Sequence, residues 1–355
     1  MSKPDFERLR REILEADEAL TVALERCGAA RRALVSARRD DPDGYHPMPR
    51  EGDVMALAER VTASGLPRAT VRAILHEIAA AGAVIESPVT VSFLGPDGSL
   101  SHSCARRLFG AAAMLHPAQT AAHVFDAVSK SAASVGVVPL WSSVEGSYGP
   151  TLDALATDHP RLVAEATLPA SYHLMSKTAN PKDVEKIYAP AWILAACERF
   201  LHERYERTPL VDVRSAALAG QLAAEDHGAA ALATDLVAEL YALEVFERAI
   251  EDRPVEIRFG IISLDPSPRT GSDRTAVVFA CSEEPGSLHQ ALRPFAEHRI
   301  NLARIESRPA REAPWPVQFF VEMDGHMTDR PIVTALEQVK RTTRFLKILG
   351  SFSAR

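Results

Sequence analysis

The chain has 355 residues, which at about 150 residues per domain is enough for two or three domains, each with a core of its own. Its composition of 46% apolar and 25% charged residues is typical of a globular protein and excludes disorder over most of its length. A net charge of −7, from 40 basic and 47 acidic residues, argues against a protein that coats nucleic acid.

Four cysteines lie far apart in the sequence, at positions 27, 104, 197 and 281. No C-x-x-C pair or Cys/His ligand spacing accompanies them, so neither a metal site nor a disulfide framework is predicted, and a reducing compartment is favoured. The N-terminus leads into a charged segment rather than an apolar signal core, and no apolar run approaches about 18 residues. These features predict a cytoplasmic protein. No nucleotide-binding or zinc-binding motif occurs in a suitable context, so no cofactor is expected.

The first 88 residues are predicted to be all helical. Apolar residues recur at helical intervals among charged ones from Phe6 to about Arg38, which indicates one long helix. At about 1.5 Å per residue this helix is about 50 Å long, more than a small domain covers, so we expect a helix from a second copy of the chain to pack on it. Turn residues at 40–44 end the helix, a second is expected from Pro49 past Val61, and a third over 69–85.

Short β-branched runs begin at residue 89 and alternate with Ala-rich helical windows. The predicted strands are 89–94, 134–139, 162–167, 185–188, 210–213, 228–233 and 256–264. This alternation indicates an α/β domain over residues 89–265 with a largely parallel sheet. After a linker rich in Pro and Gly, residues 272–355 have the order strand, helix, strand, strand, helix, strand of a ferredoxin-like βαββαβ sandwich.

Several strings along the chain carry a resemblance to a known family. They are FLGPDGSLSH at 93–102, GVVP at 136–139, SVEGS at 143–147, EPGSLH at 284–289 and IESRP at 305–309. With the order of the three units, these strings resemble the bifunctional chorismate mutase/prephenate dehydratases of phenylalanine biosynthesis. The resemblance implies an all-α chorismate-mutase-like unit over 1–88, a two-lobed central domain like the periplasmic binding proteins over 89–265, and an ACT regulatory domain over 272–355.

In this family, two segments of the ACT domain bind phenylalanine between two copies of the domain. The resemblance places that effector site on Gly286, Ser287, Leu288, His289, Glu306, Ser307, Arg308 and Pro309. Gly286 and Ser287 are predicted to open a helix whose free N–H groups suit an α-carboxylate, and Glu306 can neutralise an α-ammonium. A tight turn and a surface ion pair are the alternative interpretation.

For the central domain, the resemblance implies that prephenate is held in the cleft between the two lobes. Short loops of Gly and Ser at strand ends can present N–H and hydroxyl donors to its two carboxylates. The substrate-binding residues implied by the matching strings are Ser101, Ser143, Glu145, Gly146, Ser215 and Phe259.

The chain departs from the family at positions where the chemistry is expected. The Ile-Glu-Asn of the family is Leu-Trp141-Ser142 here, Tyr172 stands at a family histidine, and Trp192 stands at a family glutamine. The family string Asn-x-Thr-Arg-Phe is Val-Glu-Ile257-Arg258-Phe, so the threonine is replaced by an isoleucine.

The replacement at Ile257 bears directly on the reaction. Dehydration of prephenate expels the ring hydroxyl as carbon dioxide leaves, and the family threonine is assigned as proton donor to the developing hydroxide. General acid assistance raises a reaction rate by about 10²–10⁴-fold. Because Ile257 has no proton to donate, we expect little ordinary dehydratase activity from this chain. Arg258 is retained and is a candidate catalytic residue, because a guanidinium can hold a carboxylate with two hydrogen bonds. The alternative interpretation is a half-buried strand without a ligand.

The helical unit resembles a chorismate mutase, whose pocket holds two carboxylates and an ether oxygen with Arg and Lys side chains. The catalytic residues that follow are Arg10, Arg38, Arg50 and Glu51. The second arginine of the family's long helix aligns with Cys27, and Arg26 is one position away, about 100° around the helix. The alternative is that these charges form the solvated face of a dimeric helix.

The sequence therefore predicts an enzyme of aromatic amino acid metabolism that acts on prephenate or a close analogue, with decarboxylation without loss of hydroxide as one outcome. One alternative is a catalytically inactive, phenylalanine-sensing regulatory subunit, and another is chorismate mutase activity alone. The expected partners are a prephenate- or chorismate-like small molecule, phenylalanine as effector, and further copies of the chain in a homodimer or a higher homo-oligomer. Neither nucleic acid nor a membrane is expected.

Overall fold

The computed structural model describes residues 6–38, 59–61, 65–86, 88–157, 159–309 and 317–354. The chain divides into two units, one formed by residues 1–89 with 106–114 and the other by residues 90–105 with 115–355. None of the described helices is both long enough and apolar enough to cross a bilayer.

The first unit contains the two helices whose prediction the structure confirms. The long helix is α1 (Phe6–Arg38), and the third predicted helix is α2 (Arg68–Glu86). The two helices pack closely, since a Cβ built on Gly82 would lie 2.1 Å from the guanidinium carbon of Arg31. The predicted second helix lies mostly outside the described residues. Much of the apolar stripe of α1 is exposed, with Phe6 at 69% and Ile13 at 61%.

The strands and helices that follow residue 89 build the first of three sheets. In chain order they are β1 (Thr90–Leu94), α3 (Leu100–Phe109), β2 (Met114–Ala118), α4 (Ala121–Ser129), β3 (Val135–Ser142), β4 (Gly146–Ser147), α5 (Gly149–Thr157) and β5 (Arg161–Ala170). The chain then crosses to a second sheet, which contains β6 (His173–Ser176), β7 (Lys186–Ala189), α6 (Ala191–Ala196), α7 (Glu198–Tyr205), β8 (Leu210–Asp212), α8 (Ala216–Glu225), β9 (Ala229–Ala233), α9 (Asp235–Tyr241) and β10 (Glu244–Glu247). It returns to the first sheet as β11 (Val255–Ser263).

Both sheets of the α/β domain are mixed, so the expectation of a largely parallel sheet is wrong. The first has the order β2-β1-β3-β11-β5, with β4 paired to β3, and the second has the order β10-β6-β9-β7-β8. In the first, β1 and β3 are parallel, but β11 is antiparallel to both β3 and β5. The antiparallel pairs arise where the chain returns from the second sheet. No helix stands in the described stretch between β10 and β11, and β11 enters the first sheet running opposite to β3 and β5.

The C-terminal domain confirms the predicted βαββαβ order. Its elements are β12 (Asp273–Ala280), α10 (Ser287–Glu297), β13 (Leu302–Pro309), β14 (Val317–Asp324), α11 (Arg330–Thr342) and β15 (Phe345–Ser353). The four strands form an antiparallel sheet of order β13-β14-β12-β15. One face of this sheet buries apolar side chains of α10 and α11, such as Phe295 and Leu336. The other face packs on the first sheet, where Leu140 and Leu162 share one core with Phe320 and Leu349.

Candidate active site and effector site

Strand β11 places Ile257 and Arg258 on opposite faces of the first sheet, as successive residues of a strand must be. The Arg258 guanidinium faces the C-terminal domain. Its Nε and Nη2 atoms lie 2.6 and 2.5 Å from the carboxylate oxygens of Glu165 on β5, and Nη2 lies 3.0 Å from Glu322 on β14. Burial opposes ionisation of Arg258, but the hydrogen bonds to Glu165 and the charge of Glu322 outweigh it and raise its pKa above the ordinary value. Arg258 is therefore already held by two carboxylates.

Trp141 lies on the same face of the sheet as Arg258. The two residues are directly opposite in the pairing of β3 with β11, and the guanidinium of Arg304 on β13 lies 5.9 Å from the centre of the Trp141 ring. This departure from the family pattern is therefore located at the contact with the C-terminal domain.

Ser142 lies directly opposite Ile257 in the same pairing, on the face turned away from the C-terminal domain. The Ile257 side chain is 6% exposed, and Ser142 is half-buried. The Ser142 hydroxyl oxygen accepts hydrogen bonds from the backbone N–H groups of Val144 (3.3 Å) and Glu145 (2.9 Å). Ser142 therefore orders the loop that joins β3 to β4.

That loop brings together three of the predicted substrate-binding residues, Ser143, Glu145 and Gly146. Ser143 joins it to β11, because its N–H donates to the Glu256 carbonyl (2.9 Å) and its hydroxyl accepts from the Glu256 N–H (3.0 Å). The side chains of Ser143 and Glu145 are exposed, and Gly146 has a φ of +77°, a left-handed conformation that favours glycine. The loop thus presents polar groups beside position 257.

Ser101 and His102 lie in the first turns of α3 and are buried. The His102 ring stacks on Phe93 at 4.8 Å, and its Nδ1 accepts the N–H of Gly98 at 3.0 Å. A Cβ built on Gly98 would lie 3.3 Å from side-chain atoms of Val237 and Leu240, which belong to α9 beside the second sheet. His102 therefore orders the turn at which the two sheets of the α/β domain approach each other.

The crossover between the two sheets contains Tyr172, whose side chain is 0% exposed. Its ring makes an edge contact with Trp192 (5.8 Å, 75°), so two of the departures from the family pattern touch each other. Among the described residues, no partner forms a hydrogen bond with the Tyr172 hydroxyl. Burial, with smaller contributions from Cys197 and from the charges of nearby carboxylates, raises the pKa of Tyr172, so the hydroxyl keeps its proton.

The other two substrate-binding predictions fall on residues with structural contacts. Ser215 is the N-cap of α8, and its hydroxyl accepts the N–H of Leu218 at 3.2 Å. Phe259 is 1% exposed in the core of the first sheet. His173, next to Tyr172, is also engaged, since Nδ1 accepts the N–H of Ala249 at 3.0 Å and Nε2 lies 3.2 Å from Asp235.

The predicted mutase residues are only partly described. Arg10 is exposed on α1, and Cys27 is half-buried on the same helix. Arg38 is the last residue of α1, and its side chain lies outside the described residues, as do Arg50 and Glu51 altogether. Arg10 is therefore the one member of this predicted set whose side chain the structure places.

The first predicted effector segment opens α10, as expected. Gly286 is the N-cap with a φ of +84°, and no side chain among the residues that the structure describes caps the helix. The Ser287 hydroxyl donates to the Ser282 carbonyl at 2.7 Å, Leu288 is half-buried, and His289 is exposed.

The second predicted effector segment, on β13, is divided between two faces. Glu306 accepts hydrogen bonds from the Ser147 hydroxyl and from Arg304, and Arg308 lies 3.7 Å from Asp153 of α5. Ser307 and Pro309 alternate with them and are exposed. Glu306 and Arg308 therefore contact the α/β domain. Sequence reasoning missed Ser147, Arg304, Glu165 and Glu322 as residues joining the two domains, because strand pairing and facing cannot be read from one sequence.

Comparison with known proteins identifies the family. The family model described as prephenate dehydratase matches residues 91–267, and the ACT domain model matches residues 275–341. A bifunctional chorismate mutase/prephenate dehydratase of Aquifex aeolicus (strain VF5) is 33% identical over 355 residues, covering 98% of this chain and 98% of its own. Another, from Stutzerimonas stutzeri, is 35% identical over 281 residues, covering 79% of this chain and 77% of its own.

A solved structure agrees with the sequence relatives. The prephenate dehydratase of Arthrobacter aurescens, determined in complex with L-Phe, superposes with a TM-score of 0.70 at 32% identity, covering 75% of this chain and 90% of that chain. The chain therefore belongs to the family of bifunctional chorismate mutase/prephenate dehydratases that carry a C-terminal ACT domain.

Proposed function

We propose that the chain is an enzyme that binds prephenate or a close analogue between the two sheets of the α/β domain and releases carbon dioxide from it. The observation that carries this proposal is the loop 143–147, which Ser142 and Ser143 tie to β11 beside position 257. A short loop of Ser, Glu and Gly at a strand end offers hydroxyl and N–H donors to a dicarboxylate. We further infer that the two lobes of the α/β domain hold the ligand between them as in periplasmic binding proteins. We also infer three domains: a chorismate-mutase-like domain over 1–88, a prephenate-dehydratase-like domain over 89–265 and an ACT domain over 272–355.

The reaction begins with cleavage of the bond between the ring and its carboxylate. The electron pair of that bond enters the ring as carbon dioxide leaves. If the ring hydroxyl then departs with a proton, the products are phenylpyruvate, carbon dioxide and water. If the ring carbon takes the proton instead, the hydroxyl stays and the product is not aromatic.

The test is incubation of the purified chain with prephenate, with carbon dioxide and phenylpyruvate measured separately. We expect saturable release of carbon dioxide. Glu145→Gln should lower the rate of carbon dioxide release, because Glu145 belongs to the loop. The control variant Glu225→Gln changes an exposed residue at the C-terminal end of α8 and should leave that rate unchanged. Absence of carbon dioxide release contradicts the proposal, whichever product is sought.

A second candidate function is that of a phenylalanine-sensing regulatory subunit without turnover. It is favoured by Arg258, whose guanidinium is bound by Glu165 and Glu322 and faces the ACT domain instead of a ligand. This candidate predicts phenylalanine binding in calorimetry together with no product from prephenate. Activity on chorismate alone, measured in the same preparation, would instead support the mutase alternative.

We propose phenylalanine as the effector of the ACT domain. The relative from Arthrobacter aurescens was determined in complex with L-Phe, and the α10 N-terminus of this chain carries no side-chain cap. Free N–H groups at such a terminus favour a carboxylate. The Ser287 N–H already donates to the Glu284 carbonyl at 3.1 Å, so the donors left for a carboxylate are those of the next residues of the first turn. Equilibrium binding of L-Phe by the full chain tests this assignment: saturable binding is expected, and absence of binding contradicts it.

We also propose a homodimer formed through α1. This helix has 33 residues, and its apolar side chains Phe6, Ile13 and Leu20 are exposed. A stripe of this length is normally covered by another helix. Sedimentation should give a dimer for the native chain, and Ile13→Glu should shift it toward the monomer, whereas Glu12→Gln on the same helix should not.

A further inference from the structure

We propose that Ser142 is a catalytic residue that donates the proton to the departing ring hydroxyl, in place of the threonine that the family carries at position 257. This inference rests on the proposed action on prephenate. It assigns the aromatising step to a position where the family has an asparagine. The sequence alone shows Ser142 only as the loss of that asparagine.

The strand register supports the assignment. Ser142 and Ile257 are directly opposite in the antiparallel pairing of β3 with β11. Opposite residues of such a pair share one face, with their Cβ atoms about 4.5–5.5 Å apart. A hydroxyl on Ser142 is therefore one strand spacing from the place where a hydroxyl on residue 257 would be.

The facing of the neighbouring residues shows which face this is. Trp141 and Arg258, one position along each strand, contact Arg304 and Glu322 of the ACT domain. Ser142 and Ile257 consequently lie on the face turned away from that domain. Ser142 is half-buried, so its hydroxyl can still be reached, whereas the Ile257 side chain is 6% exposed.

The hydrogen bonds of Ser142 leave its proton available. A serine hydroxyl has one proton to donate and two lone pairs to accept with. The oxygen already accepts from the N–H groups of Val144 and Glu145. Within the part of the chain that the structure describes, no acceptor takes its proton.

The same two N–H groups also suit the oxygen to proton transfer. Backbone donors fixed on an oxygen stabilise the negative charge that develops there as its proton leaves. The alkoxide of Ser142 would form between two such donors. Ser143, the next hydroxyl along the chain, instead accepts one N–H from the described residues, that of Glu256, and is exposed.

Proton transfer from Ser142 accompanies the loss of carbon dioxide and of the ring hydroxyl. The bond between the ring and the carboxylate breaks and carbon dioxide leaves, the electron pair moves through the ring, and the bond between the ring carbon and its hydroxyl oxygen breaks. The departing hydroxide takes the proton of Ser142 and leaves as water. Ser142 regains a proton from solvent, so the sum is prephenate plus a proton giving phenylpyruvate, carbon dioxide and water.

The test is a set of four enzymes assayed with prephenate for carbon dioxide and for phenylpyruvate: the native chain, S142A, I257T and the double variant. We expect the native chain to form phenylpyruvate and S142A to lose about 10²–10³-fold in kcat with little change in KM. We expect I257T to restore most of the rate in the S142A background, because it returns a hydroxyl to the same face. The control S263A removes a hydroxyl from the far end of β11 and should keep the native kcat.

The rescue separates proton donation from loop ordering. S142A also removes the acceptor for two loop N–H groups, and a loosened loop would raise KM and would not be repaired by I257T. That result would overturn the inference, as would phenylpyruvate formation by S142A at the native rate. Carbon dioxide without phenylpyruvate from the native chain would refute the role of Ser142 and leave the proposed function standing. No carbon dioxide at all would refute both.

Discussion

Arg304 of the ACT domain donates a hydrogen bond of 2.7 Å from Nη2 to the hydroxyl of Ser147, at the end of the loop that carries Glu145. The Ser147 hydroxyl in turn donates to Glu306, whose carboxylate lies 3.2 Å from Arg304. The residue predicted to receive the ammonium of an amino-acid effector thus has a partner in the α/β domain. An effector that binds Glu306 must compete with Ser147.

Ser147→Ala should therefore tighten the binding of phenylalanine. The substitution removes a hydrogen bond that the effector would otherwise replace, and a net hydrogen bond is worth about 1 kcal/mol, or roughly fivefold in affinity. Calorimetric titration of the full chain measures the change. Thr157→Ala, at the end of α5, is the control and should leave the affinity unchanged. Weaker binding in S147A would show that the hydroxyl helps to build the effector site.

Arg258→Met should destabilise the fold strongly. The substitution leaves Glu165 and Glu322, both about 15% exposed, without the cation between them. Removing one partner of a buried ion pair typically costs about 3–5 kcal/mol, whereas an exposed pair such as Arg293 with Glu297 is worth about 1 kcal/mol or less. Urea denaturation of R258M and of the control R293M compares the two. A stable R258M enzyme with a raised KM would instead support the sequence-based hypothesis that Arg258 anchors a substrate carboxylate.

The order of the elements could be predicted because the signals are local. β-branched runs such as β1 and β11 stand between Ala-rich windows, and α1 and α11 carry a helical spacing of apolar residues over many turns. The sequence does not predict strands β2, β4, β6 and β10. β2 contains Pro117 and is mostly exposed, β4 has two residues, β6 contains no β-branched residue, and β10 has one valine, so the run of β-branched residues seen in β1 and β11 is missing from all four.

The candidate site was less accessible to prediction because it depends on pairing. Trp141 and Ser142 are adjacent in the sequence, and both replace polar residues of the family. Adjacent residues of a strand lie on opposite faces, and the register of β3 on β11 decides which face each one takes. It places Trp141 beside Arg258 at the ACT domain and Ser142 beside Ile257 on the other face. A shift of one residue exchanges the faces, and no single sequence fixes that choice.

Gly350→Ala should be among the most destabilising single substitutions in the C-terminal domain. Gly350 on β15 has a φ of +147°, and a Cβ there would lie 2.0 Å from the Leu162 carbonyl oxygen of β5. Backbone cannot yield by that distance without separating the two packed sheets, so we expect a loss of about 3 kcal/mol or more in the free energy of unfolding. Gly271→Ala has the same kind of positive φ but nothing within 4 Å, and should cost about 1 kcal/mol. Equal losses in the two variants would show that conformational strain, not the contact, determines the effect.

Asp273 should give the linker before β12 a stability that depends on pH. Its carboxylate accepts hydrogen bonds from the N–H groups of Thr270 and Gly271, both at 3.0 Å. Burial alone would raise the pKa of Asp273, but these hydrogen bonds and that of the Thr270 hydroxyl outweigh it and lower the pKa below its ordinary value of 3.8. A carboxyl with a lowered pKa stabilises the fold above its unfolded pKa and loses that contribution as pH falls through the folded pKa.

Asp273→Asn should therefore be less stable than the native chain by a constant amount from about pH 7 to about pH 5, and the difference should shrink as the pH falls below the ordinary carboxyl pKa. Thr270→Val, which removes one of the donors, should show a smaller effect with the same dependence on pH. Urea denaturation at a series of pH values measures both variants. At the lowest pH the carboxyl of Asp273 is protonated in both the folded and the unfolded state, so its charge can no longer favour the folded state. If the free energies of unfolding of the native chain and D273N still differed there by the same amount as at pH 7, the side chain would act by packing and not by its charge.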